Sequence, residues 1–425
     1  MTGVLDLELT RALPAVDLAA ACPANHRVRC LVRVHGRPAA VVDIDVPEPG
    51  LTGPELGERL WDGCGPSVRE RFGPALDGLD RFPAQGLEVA APSPGGPTPL
   101  AATVVVATRD RPDALRRCLD SLLAMSHLPA RVVVVDNAPS DDRAARLVAD
   151  RYPARLVQYV REDRPGLASA HNAALPFVAT PLVAFTDDDV VVDPAWLARL
   201  VDGFGLAADV ACVTGMIFPA ELHTREQWWI EQSVGFSKGL EARVFDAAVP
   251  PDDPLFPFTA GTLGSGANMA FTTEHLARVG GFDPALGAGT TALGGDDLAA
   301  FYGVVAAGAR LVYEPAAIVF HHHRRDFPSL RRQVYGYGAG LTAYLTGVVV
   351  EDPARALTMA RHAAAGVRRA VGPSSPLSQR RPVDYPRDLV RRERIGMLSG
   401  PGRYLRSRWA HRNLRPRPAP VGTAR

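Results

Sequence analysis

The sequence predicts an α/β fold in which helices cover both faces of a parallel, doubly wound sheet. From residue 101 onward, short apolar runs alternate with amphipathic helical segments, as they do in such sheets. The apolar runs have strand length, contain valine, and lie at 103–107, 131–136, 156–160 and 182–186. A further observation is that polar residues follow several of them. Because the carboxyl ends of parallel strands meet at one edge of the sheet, where ligands bind, these polar residues predict a pocket there.

The strand that begins at Leu182 ends in three consecutive carboxylates, Asp187, Asp188 and Asp189. Their mutual repulsion costs free energy unless a cation or a basic partner offsets it. Alternation along an extended chain points Asp187 and Asp189 to one side and Asp188 to the other. Such oxygen ligands suit Mg²⁺ or Mn²⁺. The simpler alternative is a solvated acidic turn before a helix that is capped at Asp193.

Two more strand ends are polar, at Thr108 and at Asp136. Together with Asp187 they should emerge at the same edge of the sheet, which is the layout of a nucleotide pocket. The chain has neither a G-x-G-x-x-G loop nor a G-x-x-x-x-G-K-[ST] loop. Their absence argues against a dinucleotide enzyme and against a P-loop NTPase.

The composition is that of an ordinary globular protein, with 425 residues, 47% hydrophobic and 22% charged. Five cysteines without a C-x-x-C pair favour a reduced, cytoplasmic setting over a disulfide framework. No apolar run reaches about 18 residues, so no spanning helix is expected. The early acidic residues leave no apolar core for a signal peptide. We therefore expect a cytoplasmic protein, and no nucleic-acid partner.

The charge is distributed unevenly along the chain. Residues 361–425 contain sixteen arginines against three acids, a net charge of +13, so residues 1–360 carry −12 of the total of +1. The basic segment could fold back on the acidic body, remain solvated and disordered, or bind an anionic membrane surface at the inner face of the cell membrane. Basic and amphipathic residues mix between Arg391 and Trp409, as they do in interfacial segments.

The chain divides into segments of different composition. The first contains two alternating strands, 27–35 and 39–46, and a helix at 53–61, without a catalytic constellation. We interpret it as a structural or docking module. The predicted organisation is a small N-terminal α+β domain at 1–90, a linker at 91–99, the α/β domain at 100–328, C-terminal helices at 329–371, and a basic Arg/Pro-rich tail at 372–425.

Four segments of the α/β domain resemble the nucleotide-sugar half of a family 2 glycosyltransferase of the GT-A fold. They are Thr103–Pro112, Val133–Asn137, Arg164–Asn172 and Phe185–Asp189. The resemblance continues in the second half of the domain and covers roughly residues 100–340. Each motif is weak alone, whereas the ordered set is specific.

In that second half, Gly264–Phe271 resembles the glycine-rich strand beside the donor sugar, and Gly280–Pro284 resembles the turn that follows. Gly294–Leu298 lies where these enzymes carry an acidic pair with the catalytic base. Gly308–His321 resembles the closing hairpin that ends in a metal-side histidine. The chain departs from the family in having Asp-Asp where Glu-Asp is commoner, and Ala299 where another acid is familiar.

The resemblance implies a non-processive, inverting transfer of a sugar from a nucleotide-diphosphate sugar, with UDP favoured, to the hydroxyl of a sugar, lipid-linked or other acceptor. No Gln-x-x-Arg-Trp motif is present, which argues against a processive synthase. Asp297 is implied as the general base with Asp296 beside it, and Asp189, Asp187 and His321 as ligands of Mn²⁺ or Mg²⁺. The residues expected to bind the nucleotide sugar are Thr108, Arg109, Asp136, Asn137, Arg164, Gly166, Asn172, Asp187, Asp188, Gly266 and Asn268.

Two other functions fit parts of the pattern. A sugar nucleotidyltransferase shares the sheet and the metal, but it needs a Gly-rich loop with a basic residue on the triphosphate near Thr108, which this sequence supplies poorly. A non-catalytic sugar-binding or scaffold protein needs none of the acids, all of which are retained here. The sugar transferase is therefore the leading hypothesis.

Overall fold

The computed structural model describes residues 2–17, 26–76, 78–90, 100–361, 366 and 380–413. The predicted linker 91–99 lies outside the described residues. So do the segment 367–379 and the last part of the predicted tail, beyond residue 413.

The N-terminal domain is an α+β unit built on a three-stranded sheet. Its strands are β1 (Gly3–Glu8), β2 (Val16–Asp17), β3 (Arg27–Val34), β4 (Arg37–Asp45) and β5 (Gly50–Leu51). β1 runs parallel to β3, which pairs antiparallel with β4, while β2 and β5 form a separate pair. Helix α1 (Gly53–Phe72) begins at a capping box formed by Thr52 and Glu55, and it is longer than predicted. The strand β1 was not predicted.

The large domain contains a nine-stranded mixed sheet. Its strands are β6 (Ala102–Thr108), β7 (Arg131–Asn137), β8 (Val157–Glu162), β9 (Leu182–Asp187), β10 (Val190–Val192), β11 (Val210–Pro219), β12 (Arg243–Phe245), β13 (Asn268–Thr272) and β14 (Arg310–His321). The order is β10-β14-β11-β13-β9-β6-β7-β8, and β12 pairs with the outside of β14. The four strands from β9 to β8 are parallel, as predicted.

Two features of the sheet differ from the prediction. β13 runs antiparallel to both of its neighbours, and beyond it β11 and β14 pair in parallel again, so the sheet is mixed. The predicted closing hairpin is a single strand, β14, whose pairing with β11 shifts register between Gly215 and Met216. Tertiary pairing with a central strand therefore decides this segment, although its sequence includes a turn-forming Glu314-Pro315 pair.

Helices cover both faces of the sheet, and each face has its own apolar core. In α2, Pro112 occupies the first turn, and Leu115, Cys118, Leu119 and Leu122 are buried at helical spacing against the sheet. The predicted register of this helix is confirmed. The helices are α2 (Pro112–Leu123), α3 (Arg143–Arg151), α4 (Leu167–Ala174), α5 (Trp196–Gly203), α6 (Arg225–Val234), α7 (Thr273–Val279) and α8 (Asp296–Ala306).

Three further helices follow the sheet, α9 (Phe327–Glu351), α10 (Ala354–Arg361) and α11 (Arg387–Ala410). The helical, basic C-terminal extension that the sequence predicts is confirmed, and its last helix, α11, packs along α9. Glycines allow this close approach. A side chain at Gly338 would collide with the carbonyl of Glu393 on α11, and one at Gly396 with a carbonyl on α9. The glycines that weaken α9 as an isolated helix therefore create its contact with α11.

The two domains share an apolar cluster and a buried ion pair. Leu31 of β3 packs with Met216, Phe218 and Ile318 of the large sheet. Beside them, the Arg33 guanidinium donates to the Asp193 carboxylate at 2.7 Å. The N-terminal domain therefore covers part of the large sheet. Within the part of the chain that the structure describes, no helix is both long enough and apolar enough to cross a bilayer.

Candidate active site

A cavity of about 1610 Å³ lies at the carboxyl edge of the parallel strands. One wall is formed by the ends of β6, β7 and β9, and the opposite wall by the start of α8 and the side of α9. In-register pairing brings Thr108 beside Asp136 and Ala107 beside Asp187. The predicted site residues that line the cavity are Thr108, Arg109, Asn137, Asp187, Asp188, Asp189, Gly266, Asp296, Asp297 and His321.

The three carboxylates after β9 are held by different partners. Asp188 is buried and accepts a hydrogen bond of 2.7 Å from the Thr108 hydroxyl. The Arg111 guanidinium lies 3.0 Å from Asp188 and 2.8 Å from Asp189. Asp189 also lies 3.3 Å from the His321 imidazole. Positive side chains therefore offset the repulsion within this cluster.

The pKa values in this cluster separate according to those partners. Burial, together with the charge of the neighbouring Asp189, raises the pKa of Asp187 to about 7. Burial, opposed by Arg111, leaves the pKa of Asp188 at about 6. Although burial raises the pKa of Asp189, the His321 and Arg111 charges hold it well below its usual value. Asp189 is therefore the member of the cluster that stays ionised most readily.

The histidines that end β14 form a short chain of contacts. The Nδ1 atoms of His321 and His323 lie 2.8 Å apart, so the two rings share a face as alternation predicts. His323 Nε2 contacts the Glu231 carboxylate at 3.0 Å, and the Phe236 ring stacks on His323. This chain orients His321 towards Asp189.

The residues at this end of the cavity fit a divalent cation. Asp189 and His321 present an oxygen and a nitrogen to one point, and the Asp187 carboxylate accepts no hydrogen bond from any described residue. Among the described residues, no three acidic, cysteine or histidine side chains form a complete metal cage. A Mg²⁺ or Mn²⁺ site needs only a few protein ligands when water and phosphate oxygens complete the coordination.

The second acidic pair lies at the start of α8. Asp297 is half-buried, and its two carboxylate oxygens accept hydrogen bonds from the backbone N–H groups of Gly266, at 2.9 Å, and Leu298, at 2.8 Å. Asp296 is buried behind it, 3.9 Å from Nδ1 of His171. Asp297 therefore faces the cavity, whereas Asp296 has little exposure to it.

Burial dominates the chemistry of this pair. Burial, together with the charge of Asp297, raises the pKa of Asp296 to about 8. Burial also raises the pKa of Asp297, although the N–H groups of Gly266 and Leu298 oppose the shift. His171 gives no compensating charge, because burial lowers its pKa to about 3. Asp296 is therefore mainly protonated near neutral pH.

The structure uses two predicted ligand-binding amides elsewhere, which corrects their assignment. The Asn172 side chain bonds both the N–H and the carbonyl of Phe282, each at 2.8 Å. The Asn268 side chain is buried in the sheet, where it accepts from Trp196 Nε1 and donates to the carbonyls of Met216 and Ala317. These amides stabilise the turn and the sheet beside the cavity.

Three other predicted residues do not line the cavity. The Arg164 guanidinium pairs with Glu162, so it is not directed at phosphates. Asp136 is buried and accepts from the Tyr159 hydroxyl at 3.0 Å. The Gly166 N–H donates to the Asn137 side chain at 2.8 Å, which fixes the loop before α4. Their contribution is to position residues that do face the cavity, such as Asn137.

The cavity also contains cations that the sequence did not single out as site residues. They are Arg111, Arg324, Arg332, Arg381, Lys238, Arg243 and Arg380, of which Arg381 pairs with Glu393. One feature of the sequence could have drawn attention to Lys238, because it is the only lysine in a chain whose other basic residues are arginines and histidines. The cavity is also lined by apolar side chains, which are Leu255, Phe258, Leu341, Leu345, Val349 and Met359.

Comparisons with known proteins identify relatives of this chain among the glycosyltransferases. A pre-mycofactocin glycosyltransferase of Mycobacterium tuberculosis is 29% identical over 254 residues, 58% of this chain and 48% of that protein. A validoxylamine A glucosyltransferase of Streptomyces hygroscopicus subsp. limoneus is 29% identical over 244 residues, 51% of each chain. This chain spans about half the length of these curated relatives.

Among solved structures, a mannosyltransferase from Pyrobaculum calidifontis in complex with GDP-mannose and Mn²⁺ has a TM-score of 0.45 and 19% identity, over 77% of this chain and 80% of that chain. The sequence profile of the family described as "Glycosyltransferase like family 2" matches residues 99–335. The predicted GT-A type of α/β fold is confirmed by this match. Since the matched region is more than half of the chain, the protein belongs to glycosyltransferase-like family 2.

Proposed function

We propose that this protein transfers a sugar from a nucleotide-diphosphate sugar to an acceptor hydroxyl, with inversion at the anomeric carbon. The observation that carries the proposal is that two acidic clusters in different environments, Asp187–Asp189 and Asp296–Asp297, line the same cavity. One lies among positive side chains and the other is short of them. Sugar transfer needs both, because a diphosphate must leave and a proton must be removed.

At the first cluster, Asp189 and His321 would hold a divalent cation, with Asp187 beside them. A bound Mn²⁺ or Mg²⁺ would supply stabilisation of the negative charge on the leaving diphosphate. Arg111 and Arg324 line the same part of the cavity, where their guanidinium groups can donate to phosphate oxygens. Thr108 holds Asp188 in place through its hydroxyl, so Asp188 supports the loop.

At the second cluster, Asp297 would act as the general base. The acceptor oxygen forms a bond to the anomeric carbon, the bond from that carbon to the diphosphate oxygen breaks, and the diphosphate keeps the electron pair. The acceptor proton passes to Asp297. A carboxylate whose pKa is raised by burial is a stronger base than an exposed one, and the backbone N–H groups of Gly266 and Leu298 fix its direction.

The donor is best identified by ligand-dependent stabilisation. We expect one nucleotide sugar, of the UDP class by family resemblance, to raise the melting temperature of the full chain in the presence of Mn²⁺, because a ligand that binds only the folded state stabilises it. A screen of UDP-, GDP- and dTDP-sugars, each with Mn²⁺ and with EDTA, measures this. If no nucleotide sugar shifts the melting temperature under either condition, the proposed function is wrong.

We further propose that α11 attaches the protein to an anionic membrane surface, at the inner face of the cell membrane. Its outer side exposes Ile395, Leu398, Leu405 and Trp409, which are 38%, 84%, 53% and 69% exposed. Their spacing places all four on one face of the helix. Arg391, Arg394 and Arg406 are exposed around this stripe, as in interfacial helices that bind anionic lipids.

Vesicle sedimentation tests this attachment. The full chain should sediment with anionic vesicles and much less with neutral ones, and salt should weaken the binding. A variant with serine at 398, 405 and 409 should lose the binding. A control variant with serine in place of the exposed Leu128 and Leu206, which are 51% and 49% exposed on other surfaces, should keep it. Equal sedimentation of the two variants would refute the attachment.

A further inference from the structure

Beyond Asp297, one wall of the cavity gathers three cations around a single turn. The turn follows α6 and contains Gly235 and Gly239, both with positive φ. The Lys238 ammonium donates to the Gly235 carbonyl at 2.9 Å, and the Arg380 guanidinium occupies the space where a side chain at Gly235 would lie. The Arg243 guanidinium lies in the same way over Gly239. Glycine at these two positions therefore lets three positive groups approach one another.

The turn is fixed by a buried tyrosine of β14. The Tyr313 hydroxyl accepts from the Lys238 N–H at 3.2 Å and donates to the Gly239 carbonyl at 2.9 Å. The position of Lys238 is therefore set by the sheet itself. Its pKa is lowered to about 8 by burial and by the Arg380 charge, while Asp297 opposes the shift. Bringing these cations together costs free energy, and other interactions of the folded protein must offset that cost.

None of the three cations forms an ion pair with another residue that the structure describes. In the described ranges of the chain, no carboxylate lies within 4.0 Å of Lys238, Arg243 or Arg380. The donor-side cations differ, since Arg111 contacts Asp188 and Asp189. Adjacent positive charges without counter-charges, exposed to a cavity, are arranged to bind an anion.

The position of these cations points to the acceptor and away from the donor diphosphate. Asp297 is the carboxylate that interacts with Lys238, and the acids that follow β9 are not among its charged neighbours. Apolar side chains line the same cavity, among them Leu255, Phe258 and Leu345. An acceptor in this space meets positive charge and apolar surface together.

We propose that the acceptor is an amphipathic anion. Its carboxylate or phosphate binds between Lys238, Arg243 and Arg380, its apolar part lies along Leu255, Phe258 and Leu345, and its hydroxyl is directed to Asp297. This inference rests on the proposed function, because it names the acceptor class of the same site. The two anionic groups share the chemistry that the cations recognise, and the experiment separates them.

Calorimetric titration of the full chain, saturated with UDP and Mn²⁺, tests the proposal with two matched pairs of probes. Octanoate is compared with octanamide, and octyl phosphate with octanol. In at least one pair we expect the anion to bind about tenfold or more tightly than its neutral counterpart, since hydrogen bonds to charged groups have that magnitude. The pair that shows the preference identifies the carboxylate or the phosphate.

Three variants locate the anion. Lys238→Met should remove most of the preference, and Lys238→Arg should retain it. Arg155→Met removes one exposed arginine outside the cavity, and it should leave the preference unchanged. The proposal is overturned by equal binding within both pairs, or by a preference that Lys238→Met does not reduce.

Competition with UDP is a further decisive result. If UDP displaces the anion, the three cations belong to the donor diphosphate and the proposed acceptor site is wrong. Failure of the proposed function is recognised separately, because it appears as the absence of a stabilising nucleotide sugar in the melting screen; if that screen selects GDP or dTDP, that nucleotide replaces UDP in the titrations.

Discussion

The two acidic clusters that face the cavity are alike in the sequence but have opposite surroundings. Asp187–Asp189 follows a strand and contacts Arg111 and His321. Asp296–Asp297 begins a helix, accepts hydrogen bonds from backbone N–H groups, and has Lys238 as its positive neighbour. In the proposed mechanism it is the partners of each carboxylate, and not the acidic pattern alone, that assign cation binding to the first cluster and proton transfer to the second.

The largest expected effect is on turnover, at the second cluster. Asp297→Asn should lower kcat by roughly 100-fold or more, because it removes the proton acceptor. UDP affinity should stay the same, since the substitution keeps the size of the side chain, loses one of the two bonds from backbone N–H groups, and leaves the side chains of the first cluster unchanged. Turnover of the identified nucleotide sugar and calorimetry with UDP measure the two quantities. If Asp296→Asn is the inactive variant and Asp297→Asn the active one, the two roles must be exchanged.

A smaller effect is expected on donor binding, at the first cluster. Asp189→Ala should abolish the Mn²⁺-dependent gain in UDP affinity, which we expect to be about tenfold or more, because it removes a carboxylate that binds the cation. Titration of UDP with and without Mn²⁺ measures the gain. Asp202→Ala, at an exposed position on α5, is the matched control. A metal-dependent gain that persists in Asp189→Ala contradicts the assignment.

The smallest expected effect is on stability, and its pH dependence tests the protonation state of Asp296 in the second cluster. Burial raises the pKa of Asp296 to about 8 in the folded chain, above its value in the unfolded chain. Between these values the folded state binds more protons, so the Asp296 contribution makes stability fall as pH rises. The Asp296→Asn variant lacks this loss of stability. The melting temperature of the variant minus that of the wild type should therefore be larger at pH 8 than at pH 5. An equal difference at both pH values would show that Asp296 ionises freely.

Much of the fold could be predicted, because its signals are local. The valine-rich runs at 103–107 and 131–136 correspond to β6 and β7, since a buried parallel strand is apolar on both faces. The packing of α11 could not be predicted, because the apolar residues at helical spacing in its sequence form the exposed stripe and not the face that meets α9. The helix is stabilised by contacts with α9, which the glycines permit. Non-local packing decides this element.

The candidate site could be predicted only in part, for a similar reason. The carboxylates after β9 were recognisable, because acids at the end of a buried strand need a partner. The amides of Asn172 and Asn268 were not distinguishable from ligand-binding amides, since residue type does not show whether a donor meets a ligand or the backbone. The proximity of Lys238 to Arg380 was not predictable, because the two residues are distant in the sequence.

The cluster of Leu31, Met216, Phe218 and Ile318 makes the first domain indispensable to the second. A chain that starts at residue 100 would expose the three residues of the large sheet to water, at about 1.5–3 kcal/mol for each side chain. We expect such a fragment to self-associate, which light scattering would detect, while the full chain stays dispersed. If the fragment also stays dispersed, the interface is dispensable. If the fragment does self-associate, a protein that lost the first ninety residues in evolution would aggregate before its chemistry changed.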